Sequence, residues 1–81
     1  MIRKPVKVTE IEVEGHRYSV EYFEHQTLRG SQRFSCEVIL DDTDRIILDD
    51  DTLASLESKV ERLAPATIYS RFLAGGSSFA A

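Results

Sequence analysis

Acidic side chains are the most concentrated source of possible chemistry in this sequence. Six aspartates lie between residues 41 and 51. Carboxylates at such short spacing can bind Ca²⁺ or Mg²⁺, which prefer oxygen ligands. The stretch lacks the central glycine and final glutamate of a calcium-binding loop. The two clusters also coincide with an expected turn and an expected helix start, so we expect no metal ion and no cofactor.

A polar, locally basic segment offers a different kind of site. Residues 24–33, EHQTLRGSQR, form a connection longer than most hairpin loops, and long loops often carry function. Such a segment beside tyrosines could bind a small molecule or an anion. The candidate ligand-binding residues are His25, Arg29, Arg33 and Tyr22.

Signals for catalysis are weak. The two histidines fall in different turns, and the chain has no glycine-rich phosphate loop and no cysteine–histidine ligand spacing. Cys36 is the only cysteine, so no disulfide forms within the chain. It lies on the apolar side of a strand, where a thiol is usually buried and unreactive. We therefore predict a non-enzymatic protein. If it were an enzyme, His25 with Glu24 or Arg33 would be the first catalytic candidates.

The stretch from Phe34 to Leu63 organises the expected fold as a strand, an acidic turn, a second strand and a helix. Apolar residues alternate with polar ones on both sides of the turn, as in half-buried strands. The expected register pairs Leu40 with Ile46. It also places Ile39 opposite Ile47, on the second face of the sheet.

The helix that follows has clear boundary signals. Asp51 is the expected N-cap, and leucine and valine recur at three- and four-residue steps up to Leu63. Pro65 predicts that this helix ends, because proline disfavours helical geometry at the residue before it. A second apolar segment follows and stops at Gly75. Residues 76–81 are expected to be a disordered tail.

The first third of the chain predicts a hairpin. Residues 1–8 read as a basic lead-in, and residues 9–23 alternate in polarity on both sides of Gly15-His16. Glycine at the first loop position favours a type II′ turn. The expected fold class is therefore α+β, with a four-stranded antiparallel meander sheet followed by one or two C-terminal helices that form a single layer on it. We expect one domain over residues 1–75.

Length and charge exclude some classes of function. The chain has 81 residues and a net charge of −4, concentrated in the second half. That acidity argues against wrapping a nucleic-acid backbone. No apolar run approaches the roughly 20 residues of a membrane-spanning helix, and the N-terminus has no signal-peptide pattern. One unpaired cysteine favours a reducing compartment, so we expect a cytoplasmic protein.

The stretch ILDDDTLASLESKVERL resembles the small sheet-plus-helix domain of HicB-type antitoxins, in which an Asp-Thr or Asp-Ser pair begins the helix after the last strand. Asp51, Thr52 and the helix periodicity match that pattern. The glycine- and proline-rich stretch before it and a separate DNA-binding segment are missing. The resemblance implies a nucleic-acid-linked regulatory module.

The apolar segment after Pro65 is the basis of the main functional prediction. One face of a short sheet has room for about one helix, so a further apolar stripe would pack on another chain or fold back over the far face of its own sheet, which would leave a monomer. We expect a protein-interaction module that forms a homodimer and could bind another, unidentified protein. The alternatives are a small-ligand or anion-binding protein and the regulatory module. The candidate interface residues are Ile68, Tyr69, Phe72, Leu73, Ile39 and Ile47.

Overall fold

A computed structural model describes residues 3–74. These residues form four antiparallel strands that lie side by side in chain order, followed by one helix that packs on the sheet. The expected α+β meander with a C-terminal helix is confirmed. The tail at 76–81 and the stop at Gly75 lie outside the described residues. The elements are β1 Lys4–Val13, β2 His16–Gln26, β3 Gln32–Ile39, β4 Arg45–Asp50 and α1 Leu53–Ala74.

The hydrophobic core lies between the helix and one face of the sheet. Alternate residues of each strand point to this face, and the helix contributes residues at steps of four. Cys36 is fully buried here, so burial raises the pKa of its thiol. The fully buried core side chains include Val20, Cys36, Val38, Leu56, Val60 and Ile68.

The first hairpin turns one residue earlier than the sequence suggested. Val13 pairs with His16, so the two loop residues are Glu14 and Gly15. Their φ angles are +52° and +79°, as a type I′ turn requires, so the expected type II′ turn with His16 at its tip was wrong. A type I′ turn suits the right-handed twist of the two strands. His16 becomes the first residue of β2.

The strands at the other end of the sheet are longer than expected. β1 begins at Lys4, so residues 4–8 belong to the sheet and not to a lead-in. β2 runs to Gln26 and β3 starts at Gln32, which leaves a connection of residues 27–31 only. His25 pairs with Arg33 within the sheet. Polar composition suggested a loop here because the side chains on both faces of these strand ends are hydrophilic.

The register between β3 and β4 differs by two residues from the prediction. Val38 pairs with Ile46, and Ile47 lies opposite Glu37 instead of Ile39. A shift of two residues keeps every side chain on its expected face, because side chains alternate with a period of two. The turn absorbs the difference, since Leu40 N donates to Asp44 O at 3.0 Å.

Thr52, not Asp51, caps the helix. The Thr52 hydroxyl accepts a hydrogen bond from Ser55 N at 3.1 Å, and the Thr52 carbonyl accepts one from Leu56 N. Asp50 accepts a hydrogen bond from the Ser55 hydroxyl at 2.7 Å, which lowers the pKa of Asp50. Asp51 turns away to bind Arg33. The carboxylate was expected to cap because both residue types cap helices well, and only the local geometry selects between them.

The helix does not break at Pro65. It runs continuously through this position to Ala74. Proline removes one helical hydrogen bond and costs roughly 3 kcal/mol in a helix interior. Packing on both sides of Pro65 offsets this cost, because Val60, Ala64 and Ile68 form one buried stripe against the sheet. The expected break was wrong because local propensity was outweighed by tertiary burial.

Candidate interaction surface

The sheet face opposite α1 is not covered by any element within residues 3–74. We call this surface the open face. Strand alternation places one residue from each strand in each of its rows. The central row runs across the sheet from β1 to β4 as Val8, Glu21, Glu37 and Ile47.

A buried carboxylate lies at the centre of the open face. The Glu37 side chain is only 8% exposed, and it accepts hydrogen bonds from Arg3 and Arg45, each at 2.5 Å. Hydrogen bonding from Arg3, and then from Arg45, lowers the pKa of Glu37. Arg3 precedes β1 and Arg45 begins β4. Because Glu37 binds both arginines, it links the two edges of the sheet. The network should hold the open face in one shape.

Two further groups extend the charged surface towards the 27–31 loop. The Arg3 guanidinium lies 4.1 Å from the centre of the Phe23 ring, a cation–π contact. Arg33 donates to Asp49 at 2.8 Å and also to Asp51. The arginines of the open face are therefore paired with carboxylates or stacked on a ring. The surface is mixed in charge and does not form a basic patch.

Exposed apolar residues lie at both edges of the central row. Val8 on β1 is 65% exposed, and Ile47 on β4 is 67% exposed. Ile39 is half-buried on the same face. The interface candidates Ile39 and Ile47 thus share the open face, although they are not directly opposite one another.

The other predicted interface residues divide between the core and the surface. Ile68 is buried against the chain's own sheet, with 1% of its surface exposed. Tyr69 and Leu73 are exposed, and Phe72 packs against the edge of the core beside His16, with ring centres 6.0 Å apart. We call Tyr69, Phe72 and Leu73 the helix patch. It borders a shallow groove of about 300 Å³.

The four predicted ligand-binding residues do not converge. Tyr22 is buried beneath the helix, which raises the pKa of its hydroxyl. Arg33 is engaged by Asp49 and Asp51 on the open face, and Arg29 is exposed in the loop. His25 alone lines the open cavity of about 680 Å³ beside this loop. Its Nδ1 atom is buried and has no hydrogen-bond partner in the described part of the chain.

The remaining chemistry predicted or excluded from sequence can be placed on the structure. Among residues 3–74, no group of three or more histidine, cysteine, aspartate or glutamate side chains could hold a metal ion. Asp41 accepts hydrogen bonds from the backbone and side chain of Thr43, which lower its pKa and close the turn. No helix in this part of the chain is long and apolar enough to cross a membrane.

Sequence reasoning missed the residues that organise the open face. Arg3 falls within the expected basic lead-in, and neither Glu37 nor Arg45 is among the candidate site residues. Their convergence depends on the sheet register. The available signal was Glu37 itself, a charged residue in the most apolar strand, which needs a partner when it is buried.

Comparisons with protein-family models, with curated proteins and with solved structures found no match for this chain.

Proposed function

We propose that this protein is a non-enzymatic interaction module that binds a second copy of itself as a homodimer. The observation that carries the proposal is the β4 edge of the open face, where Ile47 is 67% exposed on a strand that pairs only with β3 among the described residues. Glu37 binds Arg45, the first residue of β4, and so fixes this edge before binding, which reduces the entropy lost on association. Two-fold dimers are the commonest oligomers, and the same surface serves both partners.

Burial of the exposed apolar residues supplies a driving force. A fully buried valine or leucine side chain contributes about 1.5–3 kcal/mol relative to an exposed one. Ile47 keeps about two-thirds of its surface in water in one copy. Covering it in both copies of a dimer would therefore contribute on the order of a few kcal/mol.

Sedimentation equilibrium at micromolar concentrations tests the proposal. We expect a species of twice the 9.2 kDa chain mass, in exchange with monomer as the protein is diluted. A single species at the chain mass over the whole concentration range would contradict it. Leu73→Glu provides a control, because it adds a charge to the most exposed residue of the helix patch without disturbing the core, and we expect this variant to remain dimeric.

Binding of a small ligand or anion is the alternative function. The cavity lined by Lys4, Glu24, His25 and Gln32 supports it, because these polar side chains border one open space. The buried Nδ1 atom of His25 also has no hydrogen-bond partner among the described residues. Titration with inorganic phosphate tests this alternative, with binding monitored through the nuclear magnetic resonance shifts of His25. Saturable shifts confined to the cavity would favour it.

The alternative function as a nucleic-acid-linked regulatory module has less support. Stacking on an exposed aromatic ring and unpaired cations are the marks of single-strand binding. Here Arg3 covers Phe23, and Asp49 and Asp51 neutralise Arg33. A cytoplasmic location remains part of the proposal, supported by the single, buried and unpaired Cys36.

A further inference from the structure

We propose that the second copy joins the sheet at strand β4, antiparallel to β4 of the first copy, with the two-fold axis at Ile47. The inference rests on the proposed self-association and specifies the surface and the register. The result would be one continuous sheet of eight strands with both helices on the same side.

The unpaired backbone groups of β4 belong to the residues of the open face. Leu40 N donates to Asp44 O at the β3–β4 turn, so these two residues form a hydrogen-bonded pair. Antiparallel pairs alternate between hydrogen-bonded and non-hydrogen-bonded, so Ile46 and Leu48 direct their backbone groups to β3. Arg45, Ile47 and Asp49 then direct theirs outward.

The two edges of the sheet differ in how they resist pairing. On β1, Pro5 cannot donate a hydrogen bond, a register irregularity lies between Pro5 and Lys7, and Lys4 and Lys7 add charge. Proline, bulges and lysines are the devices that protect edge strands from pairing. The six residues of β4 contain no proline and no lysine, and their register with β3 is regular. The edge at β4 is therefore the more open to a partner strand.

The sequence of β4 is self-complementary about Ile47. Antiparallel pairing of Arg45-Ile46-Ile47-Leu48-Asp49 with itself places Arg45 opposite Asp49 of the second copy, twice by symmetry. Ile47 meets Ile47 of the second copy on the open face, and Ile46 meets Leu48 on the core side. Opposite charges and paired apolar residues are favourable across strands. The outward groups would form about six backbone hydrogen bonds in this register.

Existing contacts at this edge are compatible with the pairing. Lys59 donates to the Asp49 carbonyl at 2.8 Å, and a carbonyl oxygen has a second lone pair for the partner strand. Arg45 has five N–H donors and uses one nitrogen to bind Glu37. It can therefore bind Glu37 and the Asp49 carboxylate of the second copy together.

Charge reversal in separate chains tests the register. Arg45→Asp places two carboxylates opposite each other, and Asp49→Arg places two arginines opposite each other. We expect each variant alone to dissociate at least about tenfold more readily than the native protein, because like charges oppose pairing. An equimolar mixture should form a heterodimer with near-native affinity, since both cross-strand pairs become complementary again. Loss of internal ion pairs cannot produce this restoration.

Proline substitution at each edge tests the strand. Ile47→Pro removes an outward N–H from β4, while Val8→Pro is the matched control on β1, similarly exposed and in the same row. We expect Ile47→Pro to be monomeric and Val8→Pro and Leu73→Glu to remain dimeric, all with native circular dichroism.

A native dimer that neither Ile47→Pro nor the charge reversals weaken would overturn this inference but leave self-association standing. Species larger than dimers that Val8→Pro abolishes would show head-to-tail pairing of β4 with β1 and would also overturn it. A native protein that stays monomeric would refute both proposals.

Discussion

Replacing Glu37 by glutamine should destabilise the protein in a pH-dependent way. The substitution keeps the side-chain volume but removes the charge that two guanidinium groups share. The amide oxygen can still accept from one arginine, while the amide N–H groups face the other. The change therefore separates the electrostatic contribution of the open-face network from its packing.

The magnitude follows from the exposure of the three side chains. A hydrogen bond to a charged group contributes about 1.5–3 kcal/mol when it is buried. Glu37 is 8% exposed, but Arg3 and Arg45 are 47% and 46% exposed, so water screens both pairs. We therefore expect a loss of about 1.5–3 kcal/mol in the free energy of unfolding at pH 7 for the whole network.

The dependence on pH has a defined sign. The pKa of Glu37 is lowered in the folded state, so its ionisation stabilises the protein above the unfolded-state value of about 4.3. This stabilisation is lost as the pH falls through the folded pKa. The difference between native and Glu37→Gln proteins should therefore be largest near neutrality and shrink in acid. The lowered pKa values of Asp41 and Asp50 cancel, because both proteins contain them.

Urea unfolding followed by circular dichroism, at several values from pH 7 to about pH 3, measures this difference. Glu21→Gln is the matched control, because Glu21 faces Glu37 directly across β2 and β3 on the same surface. Like charges at facing positions destabilise a sheet, so this control should be neutral or slightly stabilising. A Glu37→Gln penalty that is constant with pH, or that Glu21→Gln reproduces, would refute the electrostatic argument.

Three further predictions concern the turn, the cap and the helix interior. Gly15→Val should lower the melting temperature because valine is strained at a φ of +79°, whereas Glu14→Asn should raise it slightly, since asparagine tolerates positive φ better than glutamate; equal melting temperatures would contradict the type I′ turn. Thr52→Ala should cost about 0.5–2 kcal/mol in urea unfolding and Asp51→Ala less, and the reverse order would restore Asp51 as the cap. Pro65→Ala should stabilise the protein by up to about 3 kcal/mol in the same assay, and a destabilised variant would show that the proline is favourable where it lies.

Much of the fold was determined by local pattern. Alternating polarity in the four strands and the periodic leucines of α1 identified the elements and the faces they bury. The β3–β4 register could be misplaced by two residues without changing which side of the sheet Val38 occupies, because strand periodicity constrains faces more tightly than pairing. Gly15 was likewise recognised as a turn residue, although the turn type depended on where Glu14 and His16 lie relative to it.

Tertiary packing determined whether the helix continues past Pro65, which the local sequence signals did not settle. Pro65 indicated a break, yet the helix continues because Ala64 and Ile68 are buried against the same sheet as Val60. This packing also placed Ile68 in the core and left Leu73 on the surface.

The sequence by itself determined the composition of the candidate surface but not its assembly. The charge pattern of β4, with Arg45 and Asp49 on either side of Ile47, is evident from the sequence alone. That these residues lie on an edge strand, and that Glu37 joins Arg3 to Arg45, depends on strand order and register. Arg3 and Glu37 are 34 residues apart in the chain, so no local pattern encodes their contact. Only the folded sheet brings them together, because long-range pairing is stabilised by the burial of the whole core.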